Sequence, residues 1–295
     1  MSRITDQWLK CAFYIYPSRP DAEAGRSIGG SGFFVSIGWA DNQERRHVYA
    51  VTNKHVIMQC VDRVVIRATT KRGEIHFEES DDVQWTPSPT DDLSAIPIKP
   101  ELAELFESVP ERIFVNASEF ETNDIELTPL GPGDEVFMIG RFISHDGKEK
   151  NHPSVRFGNI SMNAAGLRHP GGYLQESIAV DMRSMSGYSG SPAFVYWEFG
   201  GNHLINVRRP FHQSFFGLLG VDWGHIPLDL PVLDKADNPV DGQHVRSHTS
   251  MSGVVPAWRL RELLDLQPFK HQRAMIEQQE ERKNPTPLWT LSVKK

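Results

Sequence analysis

The stretch Asp181-Met182-Arg183-Ser184-Met185-Ser186-Gly187-Tyr188-Ser189-Gly190-Ser191-Pro192 decides how this sequence is read. Ser189 lies between Gly187 and Gly190, and glycines permit backbone turns that other residues resist. Strand-like runs flank the turn, residues 177–181 before it and 193–197 after it. A serine at the tip of such a turn can gather backbone N–H groups on one side, which is the geometry that holds an oxyanion during acyl transfer. Gly187 and Ser189 are the expected donors. A serine hydroxyl alone is a weak nucleophile and needs a base with an orienting carboxylate.

Working outward, the chain holds candidates for both. His55 stands in Val51-Thr52-Asn53-Lys54-His55-Val56, just past a strand. An imidazole titrates near neutrality and can take and return a proton. Asp92 opens Asp92-Leu93-Ser94-Ala95-Ile96 at the mouth of another strand. A carboxylate there can bond the second ring nitrogen, fix its tautomer and stabilise the imidazolium. Asp91 competes for this role, and Asp92 is preferred because it abuts the apolar strand. Ser191 competes with Ser189, but the Gly-x-Ser-Gly register places it off the tip. The catalytic set read from the sequence is therefore His55, Asp92 and Ser189.

Composition narrows the function classes. The chain has 295 residues, 39% of them hydrophobic, enough for one large domain or two small ones. A net charge of −7 disfavours nucleic acid or an anionic membrane as a general partner. No apolar run approaches the roughly 20 residues of a membrane span, and residues 1–6 do not open a secretory signal. Cys11 and Cys60 are the two cysteines, without a CxxC pair, which fits a reducing cytoplasm. Both are read as buried apolar residues. His244 and His248 have no nearby Glu and an irregular setting, so no metal is expected, and no organic cofactor.

Short runs of strand character succeed one another along the chain. In the first half they cover 8–16, the Gly-rich 29–35, 48–52, 64–69, 75–77, 83–85 and 93–98. In the second half they cover 135–140, 155–162, 177–181, 193–197, 215–223 and 253–255. The glycines of 29–35 lack the Lys-Ser/Thr ending and helix of a phosphate loop. Residues 101–108 read as a short helix, 227–248 as an inserted surface loop, and 256–266 as an amphipathic helix carrying Trp258, Leu260, Leu263 and Leu264. Residues 267–283 read as a solvated helix or tail. This spacing argues for all-β architecture.

The landmarks, taken together, give the chain a resemblance to trypsin-like serine peptidases of the chymotrypsin fold, closest to the HtrA/Deg-type bacterial branch. Gly30-Ser31-Gly32-Phe33 and Thr52-Asn53-Lys54-His55-Val56 resemble the family's His region. Asp92-Leu93-Ser94-Ala95 resembles its Asp motif, and Gly187-Tyr188-Ser189-Gly190-Ser191-Pro192 its serine loop. Gly133-Asp134-Glu135-Val136 and Gly158-Asn159-Ile160-Ser161 resemble the opening of the second barrel. Leu219-Gly220-Val221-Asp222-Trp223-Gly224 resembles the strand lining the substrate cleft, and Gly253-Val254-Val255-Pro256 the C-terminal closure.

The resemblance implies two six-stranded antiparallel β-barrels with a C-terminal helix. Residues 1–105 would form the barrel with His and Asp, 106–125 the connection, 126–256 the barrel with Ser, and 257–295 the helix and charged tail. It implies a serine endopeptidase acting on protein or peptide substrates. Arg183, Asp222, Trp223, Gly224 and His225 would line the substrate site. A cation at Arg183 would favour an acidic substrate residue; an ion pair with Asp181 or Asp222 is the competing reading. The chain departs from the family in three ways. The residues after Leu266 leave no room for a PDZ-like domain, Tyr188 replaces the Asp that pairs with a newly cut N-terminus in secreted members, and Ser191 replaces a usual Gly. A catalytically silent binding module and an effector protease switched on by a protein partner are the rival expectations.

Overall fold

β-branched and aromatic runs, broken by Gly, Pro and Asp turns, fold into two curled sheets that are antiparallel but for one short pairing. The computed structural model describes residues 4–27, 29–40, 44–60, 63–120, 130–141, 151–182, 187–197 and 215–283. The first sheet holds β1 (Ala12–Tyr16), β2 (Ser31–Gly38), β3 (Arg46–Thr52), β4 (Arg63–Thr69), β5 (Ile75–Asp81), β6 (Thr86–Pro87), β7 (Ser94–Pro97) and β8 (Val109–Pro110). Its order is β5-β4-β1-β2-β3-β7-β6, with β8 added parallel to β2. The second sheet holds β9 (Glu135–Arg141), β10 (Pro153–Arg168), β11 (Leu174–Asp181), β12 (Pro192–Trp197), β13 (Phe215–Leu233) and β14 (Pro239–Pro256). These six close into a barrel in the order β10-β11-β14-β13-β12-β9. This is the two-barrel, chymotrypsin-like architecture, with the first unit a curled half-barrel.

Alternation explains how the two units share a core. Along β2, Phe34 points into the first unit, while Phe33 and Val35 point toward the second. Along β9, Val136 and Met138 fill the second barrel, while Phe137 and Ile139 join the shared core. β12 and β14 follow the same rule, with Val195 and Val254 inside the second barrel and Phe194 and Val255 between the units. The two units are therefore joined by strands whose two faces are both buried.

Several elements differ from expectation. Residues 8–16 do not make one strand: helix Asp6–Lys10 precedes β1. Its Trp8 ring lies 4.5 Å from that of Phe216 and 5.6 Å from that of Phe194, so aromatic packing on the second barrel overrides the alternation. Residues 82–84 form a 3-10 turn closed by a capping box of Asp81 and Gln84. The expected loop at 227–248 is a hairpin arm instead. β13 and β14 stay paired from Pro227–His248 through Leu230–Val245 to a tip at 234–238. There Asp234 Oδ1 accepts the N–H groups of Ala236 and Asn238 at 2.7 and 3.0 Å. Pro227 and Pro231 are tolerated because a two-stranded arm leaves outward N–H positions unpaired.

Helix Ala257–Leu264 buries Leu260, Leu263 and Leu264 in the shared core. Helix Gln267–Lys283 packs on the first sheet. Phe269 meets the Tyr49 ring edge-on at 5.3 Å, and Glu277 pairs with His47 at 2.7 Å. Among the described residues, no helix is long and apolar enough to cross a membrane.

Candidate active site

β3 ends at Thr52, and the backbone turns through Asn53 into helix Lys54–Met58. Asn53 is the N-cap residue, yet its side chain does not cap. Its amide instead donates to the Asp92 carbonyl oxygen at 2.9 Å, tying the helix to the loop before β7. Asp92 returns the service: its Oδ1 accepts the backbone N–H of His55 at 2.9 Å, one of the orphan donors of the helix start. Its Oδ2 lies 2.6 Å from His55 Nδ1. One carboxylate thus holds both the backbone and the ring of His55, and the ring must carry its proton on Nδ1. Nε2 is left with a lone pair, as a general base requires. Burial raises the Asp92 carboxyl, but hydrogen bonds from His169 and His55, with the His55 charge, outweigh it and hold the group well below the usual carboxylate range.

The two neighbouring carboxylates have separate roles. Asp91 turns away from His55, taking Gln175 Nε2 at 2.8 Å and Arg259 Nε at 3.2 Å. Both aspartates are buried, and each has its own charged or amide partners. The structure brings Asp92, and not Asp91, to the imidazole.

The serine turn is stitched to both units. The Ser189 carbonyl accepts Ser31 N–H at 2.8 Å, so the tip sits against the start of β2. Ser31 Oγ donates to the Gly187 carbonyl at 2.7 Å. On the other side, Gly190 N–H donates to the Asp222 carbonyl at 2.8 Å, and Asp222 N–H to the Ser191 carbonyl at 2.9 Å. Gly187 and Gly190 have φ of 94° and 87°, in the region that favours glycine. At Gly190 a Cβ would stand 2.0 Å from the Ser31 carbonyl oxygen and 2.3 Å from Thr52 Oγ1. That close approach brings the serine turn beside the strand end that leads to His55. A Cβ at Gly30 would likewise meet Val56 at 2.6 Å and the Ser189 carbonyl at 3.0 Å. Among the described residues, the N–H groups of Gly187 and Ser189 have no partner. The Ser189 hydroxyl donates to the Trp223 carbonyl at 3.3 Å, not to His55.

Ser191, the competing serine, is fully buried, and its Oγ faces Gly140 inside the barrel. Tyr188 is also buried; its hydroxyl bonds the Ser154 hydroxyl and, at 3.3 Å, donates to the Ser154 carbonyl. Asp222 and Trp223 have buried side chains, so toward the cleft they present backbone. Gly224 lies beside the nucleophile candidate: a Cβ there would be 3.6 Å from Ser189 Oγ. His225 is half-buried next to it. Arg183 lies outside the described residues. The Asp222 carboxyl bonds the Ser252 hydroxyl and accepts Gly224 N–H at 3.3 Å, while its Oδ2 is without a partner among the described residues. Burial pushes this carboxyl up to about 7, against the pull of Ser252, Gly224 and His55.

Two residues at the site escaped the sequence reading. His169, at the end of β10, places Nε2 3.2 Å from Asp92 Oδ2. Gln175 on β11 accepts Asp92 N–H through Oε1 at 2.8 Å. The available signal was His169-Pro170-Gly171-Gly172, a turn sequence between two strands. The strands flanking that turn were read too short to bring it to the cleft.

His55, Asp92 and His169 are the described residues that could together hold a metal ion. The hydrogen bonds oppose it. Gly171 N–H donates to His169 Nδ1 at 3.0 Å, so that nitrogen holds the lone pair and Nε2 holds the proton. A metal bound through Nε2 would need the other tautomer, with two N–H groups facing each other.

No family model matches the chain, and no curated protein matches it in sequence. Among solved structures it is similar to the MamO protease domain from Magnetospirillum magneticum in its apo form, at 15% identity, over 89% of this chain and 100% of that one, with a TM-score of 0.49. It is also similar to the active form of the Rv3671c protease from M. tuberculosis, at 16% identity, over 86% and 79%, with a TM-score of 0.44. The inactive form of Rv3671c gives 15% identity, 87% and 85%, and 0.42. At these values the likeness carries no chemistry, and the two-barrel assignment stands on the strand order itself.

Proposed function

We propose that this protein is a serine endopeptidase with Ser189 as nucleophile, His55 as base and then acid, and Asp92 as orienter. The observation that carries this reading is the His55–Asp92 pair at 2.6 Å, set beside a serine turn whose two candidate oxyanion donors have no partner among the described residues. Ser189 Oγ attacks the scissile carbonyl carbon while its proton passes to His55 Nε2. The carbonyl oxygen becomes an oxyanion received by the N–H groups of Gly187 and Ser189. His55 then gives the proton to the leaving amine as the C–N bond breaks, leaving an acyl group on Ser189. Water, deprotonated by His55, attacks the ester and restores the enzyme. Asp92 stays ionised throughout and stabilises the imidazolium.

Peptide backbone would lie along the Trp223–Gly224 edge, where side chains leave the cleft open. A reducing, cytoplasmic setting fits two buried free cysteines, with burial pushing the Cys60 thiol up to about 11. One observation favours a second reading, in which a protein partner or substrate completes the site: the Ser189 hydroxyl donates to the Trp223 carbonyl at 3.3 Å and must give up that bond to donate to His55. A cleavage profile on a proteome-derived peptide library, with Ser189→Ala as control, tests the proposal. Cleavage by wild type alone is expected; equal profiles for both chains would reject it.

A further inference from the structure

We propose that His169 is a positioning residue for this site, acting through Asp92 from the opposite barrel; the proposal rests on the peptidase reading above. Asp92 Oδ2 is shared by two imidazoles, His55 Nδ1 at 2.6 Å and His169 Nε2 at 3.2 Å. The His169 tautomer is fixed by Gly171 N–H on Nδ1, so Nε2–H must point at the carboxylate. The His169 ring is itself clamped. It stacks on Tyr173 at 4.6 Å and packs on Trp223 at 4.9 Å. Its side chain is 7% exposed, so this is a buried donor with one charged acceptor.

The chemical consequence is specific. His55 and Asn53 bind Asp92 from the first unit, and they would move with it. His169 and Gln175 bind it from the turn after β10 and from β11 of the second, which also carries Ser189. The carboxylate that orients the base is thereby referenced to the barrel that carries the nucleophile. Loss of the His169 donor frees that oxygen to rotate and concentrates its charge on His55. The base becomes stronger and less well aimed. Groups facing the pair are Asp91, held by Gln175 and Arg259; Asp222, whose buried carboxyl feels the His55 charge; and Tyr173, whose phenol burial and the two aspartates push up to about 12.

Two substitutions separate positioning from packing. His169→Phe keeps a ring against Tyr173 and Trp223 but has no donor; His169→Gln loses the ring but places an amide N–H near the same point. Peptide kinetics are measured with pH profiles. The downfield Nδ1–H proton of His55 is followed by NMR in the Ser189→Ala background, where no catalysis is needed. Expected for Phe is a kcat about tenfold lower with KM little changed, an acidic limb moved to higher pH, and the His55 proton shifted downfield. Gln is expected to recover most of both. If Phe behaves as His in rate and in the His55 signal, or if Phe and Gln fail alike, the proposal is overturned. If wild type cuts nothing while the His55 proton responds to Phe and not to Gln, the positioning role stands and the peptidase reading falls.

Discussion

The two walls of the cleft are prepared to different degrees. On the first wall the histidine–carboxylate pair is assembled: His55 is bonded to Asp92 through both ring and backbone, at 2.6 and 2.9 Å. On the second wall the serine turn is rigidly stitched, yet its hydroxyl is spent on the Trp223 carbonyl at 3.3 Å. The difference teaches where the architecture places its rigidity. Charged groups that would be costly to desolvate unpaired are locked in place, while the neutral hydroxyl keeps a rotation of low cost. A second lesson follows from Asp92, which belongs to the first wall by sequence and to both by hydrogen bonding.

The largest effect should come from the second wall. Ser189→Ala should lower kcat by a factor of about 10^3 to 10^6, with the melting temperature little changed, because the one bond lost among the described residues is the 3.3 Å contact to the Trp223 carbonyl. Steady-state peptide hydrolysis and a thermal melt read both quantities. On the first wall, Asp92→Asn should cost about 10^4 in kcat, since an amide cannot hold the required tautomer. It should also destabilise at neutral pH. The Asp92 carboxyl is depressed in the folded chain, so its contribution is present above the unfolded carboxylate range and fades as pH falls through the folded value. Urea titrations should therefore show the gap between wild type and Asp92→Asn closing as pH drops well below 4. An equal gap at all pH values would sever the pair's electrostatic role from its stability.

The stitching between walls is tested next. Gly190→Ala puts a methyl into the Ser31 carbonyl and Thr52 hydroxyl at positive φ, and should cost roughly 3–5 kcal/mol in chemical denaturation. A loss under 1 kcal/mol would mean that the turn can leave β2 cheaply. The smallest effect should appear at Asp222, behind the serine. Its carboxyl is raised to about 7, so the folded chain keeps a proton that the unfolded chain has released, and stability falls as pH rises from about 4 to 7. Asp222→Asn removes that loss. Its stability relative to wild type should rise through this window and then level off. A flat difference would show that Asp222 is ionised in the fold.

Much of this was legible because glycines, histidine, aspartate and serine sit in short local patterns. Gly190 announces a turn by its residue type, and His55 and Asp92 stand at strand ends where the pattern changes. The choice of Asp92 over Asp91 rested on one adjacent apolar strand, and only coordinates separate their partners. His169 was not legible, because its role depends on the 16-residue length of β10, whose largely exposed second half lacks clean alternation. The arm beyond residue 227 was misread for a related reason. Prolines at 227 and 231 look like loop chemistry, yet a two-stranded extension with a self-bonded Asp234 turn accepts them. Tertiary packing, not local preference, turned residues 6–10 into a helix that seats Trp8 on the far barrel.

The most direct test is covalent. Purified chain is treated with a fluorophosphonate probe, digested and mapped by mass spectrometry. The expected result is a single adduct on Ser189, absent from Ser189→Ala and formed far more slowly by Asp92→Asn. A folded chain that takes no label at Ser189, in buffer or in the presence of peptide substrate and cell extract, would contradict the claim that these three side chains form a catalytic unit.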